Sequence, residues 1–551
     1  MALPPGISFS LKRLPSILAP PLGTYVLKWL GETYLNMHMS RWVSVSLCLL
    51  SFPLIFTARV QYKLLANRRA AAARGATLPP TVPSSVGGLD IVWSGMRNRG
   101  TEYPGEPLAQ LTKSLGNIYC LRILFENRFF TCEPEHMKIL LATEFSSFEK
   151  GEDTRVVFEP LLGSGIFSSD GELWKFHRAM TRPFFKRDRL SDFELFDRHS
   201  NDAVSAIKNC LREGYPVDFQ DIVSRFAMDS SSEFLFGRNA HTLAAGALGA
   251  AWPVTEFWHD RLAEPIRVVH EFLDPILSEA VARRAADSGE KQVAMEKHTA
   301  DREVQEGESL VDYLLHYTQD RTILRDEVLN LSTAGRDTTA SLLTFAIYML
   351  TDHPRVLAKL RAEILNTVGP LRAPTPDDFR DMKYLRAVLN GASQTLRLYP
   401  PVPINLRSTT APVIFPSMTD GTPFYLPAKS KVIYSVIVMH RRTDLWGPDA
   451  LKWDPERFID ERLHKYLTAN PFIFLPFNAG PRICIGQQFA YHEASFFLVR
   501  LLQNFSNISL VPTAQPTAYT PPDTTDDPLG WKRSERFAVK THLTMFIEGG
   551  I

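Results

Sequence analysis

Apolar residues recur at i, i+3 and i+4 through several long stretches of the chain, the signature of amphipathic helices. Leu190 to Arg212, Ile222 to Phe236, Leu310 to Tyr317 and Leu324 to Leu350 all read this way. Alternation with a period of two is scarce and late, and the best example is Ser430 to Met439 (SKVIYSVIVM), which predicts a strand. The charged stretch Glu279 to Glu308 predicts solvated helix and loop. The pattern predicts a body that is mainly α with a minor β-sheet.

The first part of the chain follows a different pattern. Trp42 to Ala58 (WVSVSLCLLSFPLIFTA) is uncharged over seventeen residues and bounded by Arg41 and Arg59. That is about the shortest run able to span a hydrocarbon core, and Pro53 is tolerable in such a helix. Trp42 suits an interfacial anchor, and the basic run Arg59 to Arg74 suits the cytosolic side. Leu14 to Leu30 is also apolar but interrupted by Pro15, Pro20, Pro21 and Lys28, so it either lies in the interface or pairs with the second run. The proline-rich stretch LPPTVPSSVGG (78–88) follows as a stiff hinge. The expected organisation is an anchor region over 1–77, a hinge over 78–88 and a single large domain over 89–551.

Composition narrows the function. Of 551 residues, 45% are hydrophobic and 22% charged, which excludes a disordered chain. The net charge of +1 conceals an asymmetry: residues 1–85 carry nine basic side chains and one acid, a net +8, leaving −7 on the rest. A basic excess set around apolar sequence points to a membrane and away from nucleic acid. Five widely spaced cysteines, Cys48, Cys120, Cys132, Cys210 and Cys484, argue against a disulfide framework and for a reducing compartment.

The strongest chemical signal is the run Phe477-Asn-Ala-Gly480-Pro-Arg482-Ile-Cys484-Ile-Gly486, followed by a helical pattern from Gln487. A thiolate needs positive potential and backbone donors to stay deprotonated, and a helix amino terminus supplies both. Gly480 and Gly486 let the backbone turn and approach a flat cofactor. Phe477 is placed to pack on the thiolate side, and Arg482 to pair with an anionic group.

With this F-x-x-G-x-R-x-C-x-G pattern the sequence resembles the cytochrome P450 superfamily of haem-thiolate monooxygenases, over nearly all of the body from about Leu78. The resemblance implies the P450 fold and haem b, with Cys484 as the ligand of the haem iron, and thiolate donation that favours O–O cleavage. Leu331 to Ala340 (LSTAGRDTTA) is similar to the family's oxygen-activating helix, and implies that Asp337 and Thr338 hold water and deliver protons. Gly335 weakens that helix, and Thr338 is one turn from the Ala334 carbonyl, to which its hydroxyl can bond. Trp174-Lys-Phe-His-Arg178 matches W-x-x-x-R, whose i, i+4 spacing puts indole and guanidinium on one face toward the haem propionates. Pro455-Glu-Arg457-Phe458 matches P-E-R-F.

One landmark departs from the family. Its E-x-x-R helix is here Gln394-Thr-Leu-Arg397, so Arg397 and Arg457 lose the carboxylate they would share. Either the haem pocket is less stable here or another acid compensates, Glu456 being the nearest in sequence.

The helix motif with Arg336, the loop FNAGPRICIGQQFA and PPVPINLR together look most like fungal alkane- and fatty-acid-hydroxylating members. Family topology places Ile166 and Phe167 (within LLGSGIF), Ala334, Thr338, Val402 and Ile404 toward substrate, and their apolar character suits a lipid-like molecule. Oxidation of a terpenoid in a specialised-metabolite pathway, or haem sensing without turnover, are the alternatives. No G-x-G-x-x-G fingerprint occurs and the chain is too short for a fused flavin domain, so electrons are expected from a separate NADPH-dependent reductase. Lys175, Arg178, Arg182, Lys186 and Arg187 are its candidate docking face. The expected location is the endoplasmic reticulum membrane with the catalytic domain in the cytosol.

Overall fold

The computed structural model describes residues 5–98, 102–185, 193–238, 263–287, 304–305, 308–389, 394–419, 421–514, 527–533 and 535–551. The chain divides into two units, one built from Met1–Leu78 with Ala247–Phe272 and Pro416–Pro427, the other from the remainder.

In the first unit, helix α1 (Pro5–Tyr34) keeps Pro15, Pro20 and Pro21 inside it. It packs against α2 (Arg41–Ala72), the hairpin option left open by the sequence. Ser40 caps α2 by accepting from the Val43 amide. Among the described residues α2 is the one helix long and apolar enough to cross a membrane. Its apolar side chains stand largely exposed, Trp42 at 84%. Such a helix is uncovered in water and satisfied in lipid, which fits a membrane anchor.

The second unit begins with the hinge stretch, part of which is fixed to a strand. Pro80 O accepts from the Cys120 amide, and Cys120 O accepts from the Val82 amide. That strand is β1 (Ile118–Ile123), which pairs antiparallel with β2 (Glu126–Thr131). The short β3 (Phe148–Glu149) follows, then helices α3 (Gly171–Thr181), α4 (Phe193–Arg212) and α5 (Phe219–Phe236). The long helix α6 (Arg321–Asp352) is capped by Asp320, which accepts from the Thr322 and Ile323 amides. From Thr339 to Leu350 every side chain of α6 is buried, so this half of the helix is the axis of the core. The short α7 (Gln394–Leu398) precedes β4 (Ile404–Thr409). After β5 (Lys431–Ser435) and α8 (Val436–His440) comes α9 (Gln487–Asn504), which packs on α4 and α6. The strands form one sheet in the order β1-β2-β5-β4-β3, with only the β2–β5 pair parallel.

The expected strand Ser430 to Met439 is half strand and half helix. Ser435 ends β5 and its side chain accepts from the Val438 amide, which caps α8. An alternating apolar run cannot distinguish a buried strand from a buried helical turn, but the serine that starts the turn can. The mainly helical expectation with a minor sheet holds. Part of the 279–308 stretch, and Leu190 to Asp192, lie outside the described residues.

Candidate functional site

The cysteine loop connects a single 3₁₀ turn (Gly480–Arg482) to the start of α9. The Cys484 amide donates to Phe477 O at 3.0 Å, which closes the loop on itself. Phe477 packs edge-on against Tyr491 of α9, with ring centroids 4.9 Å apart. Gly480 has φ +66°, and a Cβ there would lie 1.8 Å from the Leu141 carbonyl, so no other residue fits. Gly486 differs from expectation. Its φ of −86° is available to any residue, and a Cβ would meet the Cys484 sulfur at 4.0 Å. What the missing side chain leaves open is the space beside the thiol.

The Cys484 thiol is surface-accessible, yet desolvation by surrounding protein is the largest influence on its pKa, which it raises. The Gly486 amide and the Arg178 charge act the other way and favour the thiolate.

Trp174 and Arg178 lie on α3 as the i, i+4 spacing predicts. Trp174 is sandwiched between two guanidiniums, with Arg178 5.8 Å and Arg482 4.4 Å from its ring centroid. Burial lowers the Arg178 pKa, with the Arg182 charge adding to it, and no ion pair holds Arg178 among the described residues. Arg482 donates to Ser169 O at 3.1 Å and to Asp170 Oδ1 at 2.6 Å. Its Nε is buried without a partner among the described residues, and burial with the neighbouring Arg407 charge pulls its pKa down to about 10.

Three residues join this cluster that sequence reasoning did not single out. Lys150 has its pKa well lowered by burial and by the charges of Arg407 and Arg482. Its ammonium donates to Phe167 O at 2.7 Å. Arg407, nearly fully buried on β4, lies 5.7 Å from the Tyr434 ring centroid. Asp170 accepts from the Lys150 and Gly151 amides at 2.8 and 2.9 Å as well as from Arg482. Lys150, Arg407 and Arg482 lie close to one another, with the carboxylates of Asp170 and Glu149 beside Arg482, a surplus of positive charge that suits a further anion. An iron porphyrin with two propionates suits this arrangement: cations for the carboxylates, an accessible thiol for the iron, and a glycine beside the thiol. Among the described residues no group of three His, Cys, Asp or Glu side chains is placed to hold a metal ion by itself.

On α6 the Thr338 hydroxyl donates to Ala334 O at 2.7 Å. Asp337 is half-exposed and paired with its neighbour Arg336 at 3.6 Å. Burial raises its pKa and Arg336 opposes that. The earlier turns of α6 hold the loop that carries Ile166 and Phe167. Ser164 N donates to Asp326 Oδ2 at 2.8 Å, and Phe167 N donates to Asn330 Oδ1 at 3.1 Å. Asn330 in turn donates to Leu162 O at 2.6 Å. Glu327 forms a fully buried pair with His177 of α3. One helix therefore positions both the loop and α3. Ile166 is buried, Phe167 is exposed at 36%, and Ala334, Val402 and Ile404 are half-buried.

Gln394, Arg397 and Arg457 form a separate, buried network. Arg397 donates to Gln394 Oε1 at 2.9 Å, to His440 O at 2.6 Å and to Lys452 O at 3.3 Å. Gln394 Nε2 has no hydrogen-bond partner among the described residues. The compensating acid is not Glu456, which is turned outward and pairs with Lys359. It is Asp449, 2.6 Å from Arg457 and 2.7 Å from Arg462. The Pro455–Phe458 turn, capped by Asp454, separates neighbouring side chains, so nearness in sequence misleads. His440 ties the network to the cysteine loop, its Nε2 accepting from the Leu475 amide at 3.0 Å.

Of the proposed docking cations, Lys175 is exposed and paired with Glu172, and Arg178 turns inward toward Cys484. Lys186 and Arg187 lie outside the described residues.

Comparison with known proteins agrees with this geometry. The family model described as Cytochrome P450 matches residues 83–525. The chain is 35% identical to cytochrome P450 monooxygenase himC of Aspergillus japonicus over 446 residues, 76% of each chain. It is 36% identical to cytochrome P450 52A3-A of Candida maltosa over 404 residues, 69% of this chain and 75% of that one. It is also 34% identical to cytochrome P450 monooxygenase pvhE of Talaromyces variabilis over 422 residues, covering 70% and 75%. The chain belongs to the cytochrome P450 family of monooxygenases.

Proposed function

We propose that this monooxygenase hydroxylates an apolar, lipid-like substrate, with electrons supplied by a separate NADPH-dependent reductase. It works as a membrane-anchored enzyme of the endoplasmic reticulum with its catalytic unit in the cytosol. The observation that carries the haem-thiolate assignment is the accessible, desolvated Cys484 thiol between the Gly486 amide and Arg178, beside a surplus of buried cations. Haem, when bound, would supply the iron for O₂ activation, with a thiolate ligand donating electron density to it.

The chain's own residues have distinct tasks in this reading. Cys484 would hold the iron as thiolate, a form favoured by the Gly486 amide and the Arg178 charge. Trp174, Arg178, Arg482, Lys150 and Arg407 would hold the haem propionates. Asp170 keeps Arg482 and the Lys150–Gly151 turn in place. Thr338 holds its hydroxyl against Ala334 O, and Asp337, whose raised pKa lets it exchange protons more readily than an ordinary aspartate, moves protons at its carboxyl. Ile166, Phe167, Ala334, Val402 and Ile404 give substrate an apolar wall from which water is excluded. The exposed apolar side chains in the first half of α2 and the basic residues in its second half fit anchoring with the positive end in the cytosol.

The test is expression of the full chain with the reductase and a product screen over dodecanoic acid, hexadecane and a terpenoid. Hydroxylated fatty acid or alkane is expected. A terpenoid product alone would replace the substrate class. The reduced carbon monoxide spectrum should be of the thiolate type and disappear in Cys484→Ala, and its persistence there would overturn the ligand assignment.

A further inference from the structure

On the first half of α6, Asn330 is fully buried with every polar group of its amide engaged. Its Nδ2 donates to Leu162 O and to Asp326 O, both at 2.6 Å, and its Oδ1 accepts from the Phe167 amide at 3.1 Å. Two carbonyls face the nitrogen and one N–H faces the oxygen, so only one orientation of the amide fits. One turn earlier, the buried Asp326 accepts from the Ser164 amide at 2.8 Å and from the Ser164 hydroxyl at 3.2 Å. Glycines let this loop lie directly on the helix. Gly163 has φ +59°, and a Cβ there would stand 2.1 Å from the Asp326 carboxyl; at Gly165 it would stand 2.4 Å from Asn330 Nδ2.

The clamp closes on Phe167, which is held by both of its backbone groups. Its N–H is on Asn330, and its carbonyl accepts from the Lys150 ammonium at 2.7 Å. The same ammonium lies 5.2 Å from the Phe167 ring centroid, yet the ring stays exposed. A buried amide, a buried carboxylate and an ammonium thus fix a short loop beneath an exposed aromatic side chain. Such fixing is of use where that side chain has to meet a further molecule at a set place.

We propose that Asn330 is a specificity-determining positioning residue. Together with Asp326 it sets where the wall formed by Ile166 and Phe167 stands, and thereby which carbon of a long apolar substrate is presented for hydroxylation. It acts through Phe167 and does not touch the substrate. The inference deepens the proposed function and rests on its placing Ile166 and Phe167 against the substrate. The site requires an amide because it offers two acceptors and one donor. A carboxylate of the same shape would keep the bond from the Phe167 amide, lose both donations and set an oxygen against the Leu162 and Asp326 carbonyls.

The experiment uses the full-length, haem-loaded chain and compares Asn330→Asp with the wild type in three measurements. Hydrogen exchange reads the clamp directly, and exchange in the peptide 162–170 should quicken by about tenfold. Spectral titration with 1-dodecylimidazole and with imidazole reads the wall without turnover. The dissociation constant of the long-chain ligand should rise about tenfold, and that of imidazole should stay within about twofold. With reductase, NADPH and dodecanoic acid, the ratio of hydroxylated positions should change, and KM should rise more than kcat falls. Asp326→Ala should reproduce these changes, and Asp326→Asn, which keeps an acceptor for Ser164, should recover most of them. Unchanged exchange in Asn330→Asp would overturn the clamp. Quickened exchange with a wild-type product ratio and wild-type dodecylimidazole affinity would leave it a purely structural tie and overturn the proposal. If Asn330→Asp fails to hold haem, equal dodecylimidazole affinities in Asp326→Ala and the wild type overturn it equally. Absence of hydroxylated dodecanoic acid from the wild type would count against the substrate class alone, because exchange and the two imidazoles still judge Asn330.

Discussion

Replacing Gln394 by glutamate restores the acid that the family carries at this position, and the structure allows the effect to be worked out. Arg397 is fully buried, its Nε is 2.9 Å from Gln394 Oε1, and its other donors go to backbone carbonyls. Burial, reinforced by the charge of Arg457, holds its pKa well below the usual guanidinium range. The cation is therefore already desolvated in the wild type, and a new carboxylate adds only its own desolvation, several kcal/mol. Against that stands an attraction of about 4 kcal/mol for unit charges about 4 Å apart at an effective dielectric of about 20. A charge-assisted bond also replaces a neutral one. The two sides nearly cancel, so Gln394→Glu should leave stability unchanged or raise it by up to about 2 kcal/mol. Asp449→Asn should behave oppositely. It removes the one carboxylate 2.6 Å from buried Arg457, where breaking a buried pair costs about 3–5 kcal/mol. The partial exposure of Asp449 reduces that to about 2 kcal/mol. In the double variant the Gln394→Glu change should recover at least about 1 kcal/mol of the loss, a coupling that a double-mutant cycle isolates. The assays are haem bound per chain, from the alkaline pyridine spectrum, and the thermal midpoint. A clear loss of haem in Gln394→Glu, together with an indifferent Asp449→Asn, would refute the compensation.

Two further outcomes follow from the same geometry. Gly480→Ala should abolish haem retention, because its Cβ meets the Leu141 carbonyl at 1.8 Å and φ is +66°, whereas Gly486→Ala, with its nearest contact at 3.9 Å, should still fold and hold haem at reduced occupancy. His440 is fully buried, and burial with the charge of Arg397 pushes its pKa from 6.5 down to about 3. The unfolded chain then binds a proton on this ring that the folded chain refuses, so stability is full above about pH 6.5 and declines as pH falls toward 3. The accumulated loss from this ring is on the order of 5 kcal/mol. Acid titration monitored by haem absorbance and circular dichroism should show that slope in the wild type and a shallower one in His440→Gln, and parallel curves would remove His440 as its cause.

What the sequence made legible and what it hid divide along the distance between partners in the chain. The cysteine loop is readable because its parts lie within ten residues: a turn that only Gly480 can make, the Cys484 amide closing on Phe477, and a helix start after Gly486. The bond from Thr338 to Ala334 is readable for the same reason, being one helical turn. The anion cradle is not. Lys150, Asp170, Arg407 and Arg482 come from a loop, a helix cap, a strand and a 3₁₀ turn, and each alone is an ordinary charged residue. Arg407 closes the PPVPINLR run, but nothing in the sequence marked the strand it lies on or its burial. Lys150 carried no signal either.

The Gln394 network shows how locality can also mislead. A missing carboxylate invites a search among sequence neighbours, which finds Glu456, adjacent to Arg457. A 3₁₀ turn advances about 120° per residue, so adjacent side chains diverge, and Glu456 ends at the surface on Lys359 while Arg457 turns inward. Asp449, eight residues earlier, is brought back by the turn that begins at Gly447 with φ +87°. The acid thus enters the network from the rim, where it keeps contact with water and with Arg462. A glutamate at position 394 would sit fully buried between the arginines. A rim carboxylate is less desolvated and attracts less strongly, so the two arrangements reach similar net stability by different balances. That equivalence explains how this chain can carry glutamine at position 394 and retain the buried arginines.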